Sequence, residues 1–215
     1  MPTLPNITEE MLSDLRTTLE ARISPKRFCH TLGVEREIER LGQIYLPDKL
    51  LSLRAAALLH DVTKELSAEE QIALCEMYGI PVTQIDRISP KTFHAKTACP
   101  VIVNEFPQFA TEEILDAVRK HTTGASEMSV FAKLLYLADY IEDTRTFPDC
   151  VTLRNLFWDG VKCTDGSSEA LIDLLDRTLL ISFDMTVACL IREKAAIAAE
   201  TVEARNSLVE KYTNI

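Results

Sequence analysis

Ala55-Ala56-Ala57-Leu58-Leu59-His60-Asp61 is a run of small and branched apolar residues that ends on two residues a protein core normally excludes. The apolar part reads as a buried helix. Burying a histidine beside an aspartate is costly unless each finds a partner, and a metal ion is one such partner. Adjacent side chains on a regular helix point about 100° apart. His60 and Asp61 therefore diverge unless the helix ends there or a shared ion gathers them. Taken alone, the dipeptide fits the polar end of a core helix better than it fits a metal site.

Outward from this stretch, the helical period dominates in both directions. Thr8 is placed to cap a first helix with the apolar stripe Met11, Leu12, Leu15, Leu19 and Ile23. Ser24-Pro25 starts a second helix, with Ser as N-cap and Pro at the first helical position. It carries Phe28, His30, Leu32, Val34, Ile38, Leu41 and Ile44, and Pro47-Asp48 separates it from the helix ending at His60-Asp61. Ser67-Ala68-Glu69-Glu70 is a capping box closed by Gly79. Ser89-Pro90 repeats the start signal ahead of His94, and Pro100 is expected to kink or break that helix.

Thr111 caps Glu112 to His121, with acids at the start, bases at the end and Gly124 as terminator. Ser129 opens Val130 to Glu142, and Val151 to Trp158 reads as a short helix. Gly160 to Ser168 reads as a polar loop, followed by a long helix from Glu169 to about Ala195 and a last one from Thr201 to Tyr212. No period-2 alternation, internal repeat or low-complexity linker is present. The reading is an all-α, bundle-like fold of about nine or ten helices in one domain, 1–215. It divides into an N-terminal helix (1–24), a core carrying the candidate site (25–145) and C-terminal helices (146–215).

Composition narrows the function. A chain of 215 residues with 47% hydrophobic content and only 6 Gly can bury a core without staples. The net charge of −10 argues against nucleic acid or a membrane surface as partner, since both need a positive field. A phosphorylated ligand then needs local cations. Met1 to Asn6 has neither a basic nor an apolar segment, and no apolar run is long enough for a bilayer. The six cysteines form no CxxC pair and read as reduced thiols, which points to the cytoplasm.

All four histidines, His30, His60, His94 and His121, lie on or at the end of different expected helices. Helices of a bundle can aim such residues at one interior point. Asp61 and Asp139 supply anionic oxygens, and Asp139 interrupts the core-like run Phe131 to Ala138, where a carboxylate is expensive unless paired or ligated. A set of imidazoles and carboxylates without thiolates suits iron, manganese or another borderline divalent ion better than a structural zinc site. A satisfied core histidine remains the plain alternative at each position.

The order His … His-Asp … His … His … Asp resembles the HD-domain metal-dependent phosphohydrolases, an all-helical family. It is most similar to the bacterial YqeK-type branch, which splits dinucleoside tetraphosphates symmetrically. The resemblance is carried by Lys26-Arg27-Phe28-Cys29-His30-Thr31, Leu58 to Lys64, His121-Thr122-Thr123-Gly124, Leu137-Ala138-Asp139-Tyr140-Ile141-Glu142 with Arg145, and Val202 to Asn206. It implies that His30, His60, Asp61 and Asp139 bind one metal ion, iron first among candidates, and that His94 and His121 bind a second, bridged by Asp61. Two ions at such a site acidify a water that attacks phosphorus in line.

Asp61 and Lys64 are the candidate catalytic residues. Arg27, Lys64, Thr122, Thr123, Gly124 and Arg145 are candidates for the substrate, a dinucleoside polyphosphate. Lys64 lies one turn beyond His60 and shares its face if the helix continues. Arg145 has Asp143 as an alternative partner, and Glu142 is placed to orient an imidazole. Other HD-type nucleotidases and a non-catalytic nucleotide sensor stay open. An alarmone hydrolase fits less well, because Val62-Thr63-Lys64 stands where that group carries a Glu-Asp pair. The sequence leaves the oligomeric state open, with a homodimer as one possibility.

Overall fold

The computed structural model describes residues 6–213. The first five residues, read above as carrying no export signal, and the last two lie outside the described residues. The chain opens with α1 (Glu9–Arg22), α2 (Pro25–Tyr45) and α3 (Leu50–Leu59). There follow α4 (Ala68–Met77), α5 (Gln84–Ile88), α6 (Phe93–Glu105) and α7 (Glu112–Lys120). The last four are α8 (Val130–Ile141), α9 (Pro148–Cys163), α10 (Ser168–Arg192) and α11 (Ala199–Thr213). The fold is all-α, with no strand among the described residues. About nine or ten helices were expected; among the described residues there are eleven α-helices, and the shortest is the five-residue α5.

Local chemistry sets most of the helix starts. Thr8, Ser24, Thr111 and Ser129 each accept a backbone N–H from the first turn of their helix, and Ser67 closes a capping box with Glu70. α3 is the hub. Its small residues Ala55, Ala56 and Ala57 are fully buried, so neighbours approach it on several sides, and it packs against α1, α2, α7 and α8. α8 lies against both α2 and α7, while α10 joins α9 and α11 to the assembly. One hydrophobic cluster runs through all of them, from Leu12 to Leu208.

Three expectations need correction. Ser89-Pro90 does not open a helix; it opens a single 3-10 turn, Pro90–Thr92, and α6 begins after it. α6 runs unbroken through Pro100. Pro100 is partly exposed, so the Lys96 carbonyl that it deprives of a donor lies on a half-exposed turn that water can reach. α9 extends to Cys163 through the expected loop at Gly160. A glycine inside a helix costs about 1 kcal/mol relative to alanine, and burial of Leu153 and Phe157 on that helix outweighs it. No helix among the described residues is long and apolar enough to cross a membrane.

Candidate metal centre

The six residues expected as ligands come from five places in the chain and meet at one point. His30 projects from α2 and Asp139 from the last turn of α8. His60 follows the end of α3, His121 follows the end of α7, and His94 stands in the first turn of α6. At Asp61 the divergence of neighbouring side chains resolves itself. α3 stops at Leu59, and Val62, Lys64 and Leu66 each donate to the carbonyl three residues back. The first of these tight turns closes over His60 and Asp61 and ends the regular helix there, and the Asp61 carboxylate lies 3.4 Å from His60 Nε2.

Each of three imidazoles is held by its Nδ1. His60 Nδ1 donates to the Ala57 carbonyl and His121 Nδ1 to the Val118 carbonyl, both at 2.6 Å. His30 Nδ1 meets Glu142 Oε1 at 3.0 Å. With Nδ1 engaged, Nε2 is the free edge, and these edges converge. His30 Nε2 lies 3.1 Å from Asp139 Oδ1, and His60 Nε2 lies 3.4 Å from Asp61 Oδ2. His94 Nε2 and His121 Nε2 are 3.0 Å apart, at 3.2 and 3.6 Å from Asp61 Oδ1. Asp61 thus divides its oxygens, Oδ2 facing His30 and His60 and Oδ1 facing His94 and His121.

The donor set fits a cation. Nε2 of His30 and of His60 are buried without a hydrogen-bond partner. Imidazole lone pairs and carboxylate oxygens repel one another at these distances unless a positive charge lies between them. Two overlapping groups, His30 with His60 and Asp139, and His60 with Asp61 and His121, bring their donor atoms within 4.8 Å of one another. Separations of 3–4 Å between ligand atoms agree with bonds of about 2.0–2.2 Å to a common ion.

The electrostatics agree. Burial opposes the charge on Asp61, yet His60, His121 and His94 hold its carboxyl well below the usual range. Burial opposes the charge on Asp139 too, and Arg145, His30 and His60 outweigh it. His30 is pushed up to about 9: burial disfavours its cation, but the neighbouring Asp139 and Glu142 carboxylates prevail. His94 goes down to about 4 because burial dominates.

The expected substrate residues ring this cluster. Arg27 Nη1 donates to Asp61 Oδ2 and Arg145 Nη2 to Asp139 Oδ1, each at 2.6 Å. Arg145 therefore pairs with Asp139, while Asp143 pairs with Arg36 at 2.7 Å. The helix that would align Lys64 with His60 stops at Leu59, and the Lys64 ammonium reaches the cluster instead from the turn beyond it, 3.1 Å from His94 Nε2. Burial lowers its pKa. Thr122 Oγ1 is 3.0 Å from His94 Nε2 and 3.1 Å from His121 Nε2. Thr123 Oγ1 donates to the Gly124 carbonyl, and the Gly124 N–H is engaged by the Lys120 carbonyl.

Two supports went unread in the sequence. Beneath His94, Thr63 Oγ1 donates to the His94 carbonyl and meets Thr97 Oγ1, while Gln71 binds both Thr63 and Thr97. Beside Asp139, Arg154 of α9 binds the carbonyls that follow α8. No spacing rule points to either set, since the partners are far apart in the chain.

Known proteins carry the same arrangement of chain. The HD domain family model matches residues 27–143. The symmetrical bis(5'-nucleosyl)-tetraphosphatase of Bacillus subtilis is 30% identical over 138 residues, 64% of this chain and 73% of that one. Its namesake in Staphylococcus aureus is 26% identical over 86% of this chain and 88% of its own. A crystal structure from Clostridium acetobutylicum, described as a predicted HD superfamily hydrolase involved in NAD metabolism, superposes with a TM-score of 0.78. It is 29% identical, over 93% of this chain and 97% of that one. The match spans His30 to Asp139, the stretch that supplies every residue of the cluster, and this chain belongs to the HD domain family.

Proposed function

We propose that the protein hydrolyses a phosphoanhydride bond of a dinucleoside polyphosphate, with diadenosine tetraphosphate split symmetrically into two ADP as the leading substrate. The observation that carries the reaction class is Asp61, whose two oxygens face two different pairs of imidazoles. On this reading His30, His60, Asp61 and Asp139 hold one divalent ion, His94 and His121 hold a second, and Asp61 serves both. Iron is the first candidate for both, ahead of manganese or another divalent ion. Such ions supply Lewis acidity toward phosphoryl oxygens and acidify a water.

The chain's own residues supply orientation and charge. Arg27, Lys64 and Arg145 place three cations around the cluster, which offsets locally the net charge of −10 that repels a polyphosphate. Arg27 and Arg145 have flat, multi-donor guanidinium groups suited to phosphate oxygens, and each holds its Nε buried without a partner. Thr122 offers a hydroxyl at the edge of the site. The symmetrical substrate is supported by the names of the relatives above. Six unpaired cysteines support action in the cytoplasm. Residues 25–145 form the working core on this reading, with 1–24 and 146–215 packed around it.

The test is to supply divalent metal and dinucleotide to the protein and resolve the products by chromatography. Two ADP per substrate is the expected result; AMP plus ATP, or no turnover, overturns the symmetrical cleavage. Metal analysis of the purified protein is expected to give close to two equivalents, falling in Asp61→Ala. Full retention in that variant overturns the shared role of Asp61.

A further inference from the structure

The half of the cluster built on α8 depends on how that helix ends. Asp139, Glu142 and Arg145 leave its last turn and the bend after it, and helix ends expose carbonyls that have no partner within the helix. Arg154, nearly two turns into α9 and outside the residues matched to the HD domain, meets the last carbonyl of α8 and two in the bend beyond it. Its Nε donates to the Ile141 carbonyl at 2.5 Å, and its Nη2 donates to the Glu142 carbonyl and to the Arg145 carbonyl at 2.8 Å. Each end of the bend is then tied on its side-chain side. Glu142 reaches His30 and accepts Thr144 N–H, and Arg145 reaches Asp139.

We propose that Arg154 is a positioning residue for the metal centre. One planar guanidinium gathers carbonyls 141, 142 and 145 and so fixes the distance between the Glu142 carboxylate, which orients His30, and the Arg145 guanidinium, which faces Asp139. Lysine keeps the charge but offers donors from a single point, so it cannot reproduce the fork. The inference rests on the metal reading of the site, and it assigns a task to α9. An ordinary helix cap adds stability only; a positioning residue also sets how well its neighbours hold an ion.

The experiment compares full-length wild type, Arg154→Met, Arg154→Lys and Ser167→Ala, which removes the N-cap of α10 as a control for lost stability. Manganese affinity is measured by competition with a chelator, and the visible spectrum of the cobalt-loaded protein reports ligand geometry. Arg154→Met is expected to lose about tenfold or more in affinity, the usual size of an outer-shell effect, with a changed cobalt spectrum. Arg154→Lys recovers part of the loss, and Ser167→Ala keeps wild-type affinity despite a lower Tm. A loss under threefold in Arg154→Met, or an equal loss in Ser167→Ala, overturns the proposal while leaving the metal reading intact. Wild type that takes up no divalent ion overturns both. If Arg154→Met does not fold, Arg154→Lys decides by the same measure, with wild-type affinity overturning the proposal.

Discussion

Glu142 shows how much one residue of this site is asked to do. It has no exposed surface, and its Oε1 meets His30 Nδ1 at 3.0 Å and the Thr144 hydroxyl at 2.7 Å. Its Oε2 accepts the Thr144 N–H and presses on α2 so closely that a Cβ built on Gly33 would lie 2.2 Å away. Glu142→Gln, which keeps the shape but not the charge, is expected to cost about 10–100-fold in metal affinity, read by chelator competition. Gly33→Ala offers a sharper test. Replacing a helix-interior glycine by alanine ordinarily stabilises by about 0.5–1 kcal/mol. Here the methyl group displaces the carboxylate, so the expected sign reverses, to a loss of about 1–3 kcal/mol in urea unfolding, with a drop in metal content. A more stable Gly33→Ala protein with full metal would show that Glu142 has room to move.

At the scale of elements, what the sequence reveals is what local chemistry decides. The caps at Thr8, Ser24, Ser67, Thr111 and Ser129 were legible because each needs only a hydroxyl three residues ahead of a backbone N–H. The order and type of the four histidines and two aspartates were legible for a similar reason: buried polar residues stand out against an apolar period. The passage of α6 through Pro100 and of α9 through Gly160 was not legible, since packing partners elsewhere in the chain settle both. The same holds for Lys64, whose neighbour became His94 once α3 stopped at Leu59. Gly124 makes the point testable. It closes the turn after α7 at φ +70°, and a Cβ there would lie 2.6 Å from Phe183 of α10 and 2.9 Å from Ala204 of α11. Gly124→Ala therefore suffers both backbone strain and a clash, and a loss of about 2–4 kcal/mol is expected in denaturant unfolding.

For the whole molecule, ion binding and folding stability are one equilibrium. An ion that binds only the folded chain, at about a hundred times its Kd, adds about 2.7 kcal/mol. For a chain of this length 1 kcal/mol moves Tm by about 2–4 °C, so chelation is expected to lower Tm by roughly 5–11 °C for each ion removed in a thermal scan. An unchanged Tm would count against a tightly bound ion. His30 and Glu142 are 112 positions apart, and α2, α3, α6, α7 and α8 must all be docked before the six polar groups face one another. Contacts across such a separation form late, because loop closure must come first. A chain still emerging from synthesis therefore cannot complete the His30–Asp139 half of the cluster until α8 has been made and has met α2. Closure of that half is a late step, and a newly made chain lacks it until two helices more than a hundred positions apart have met.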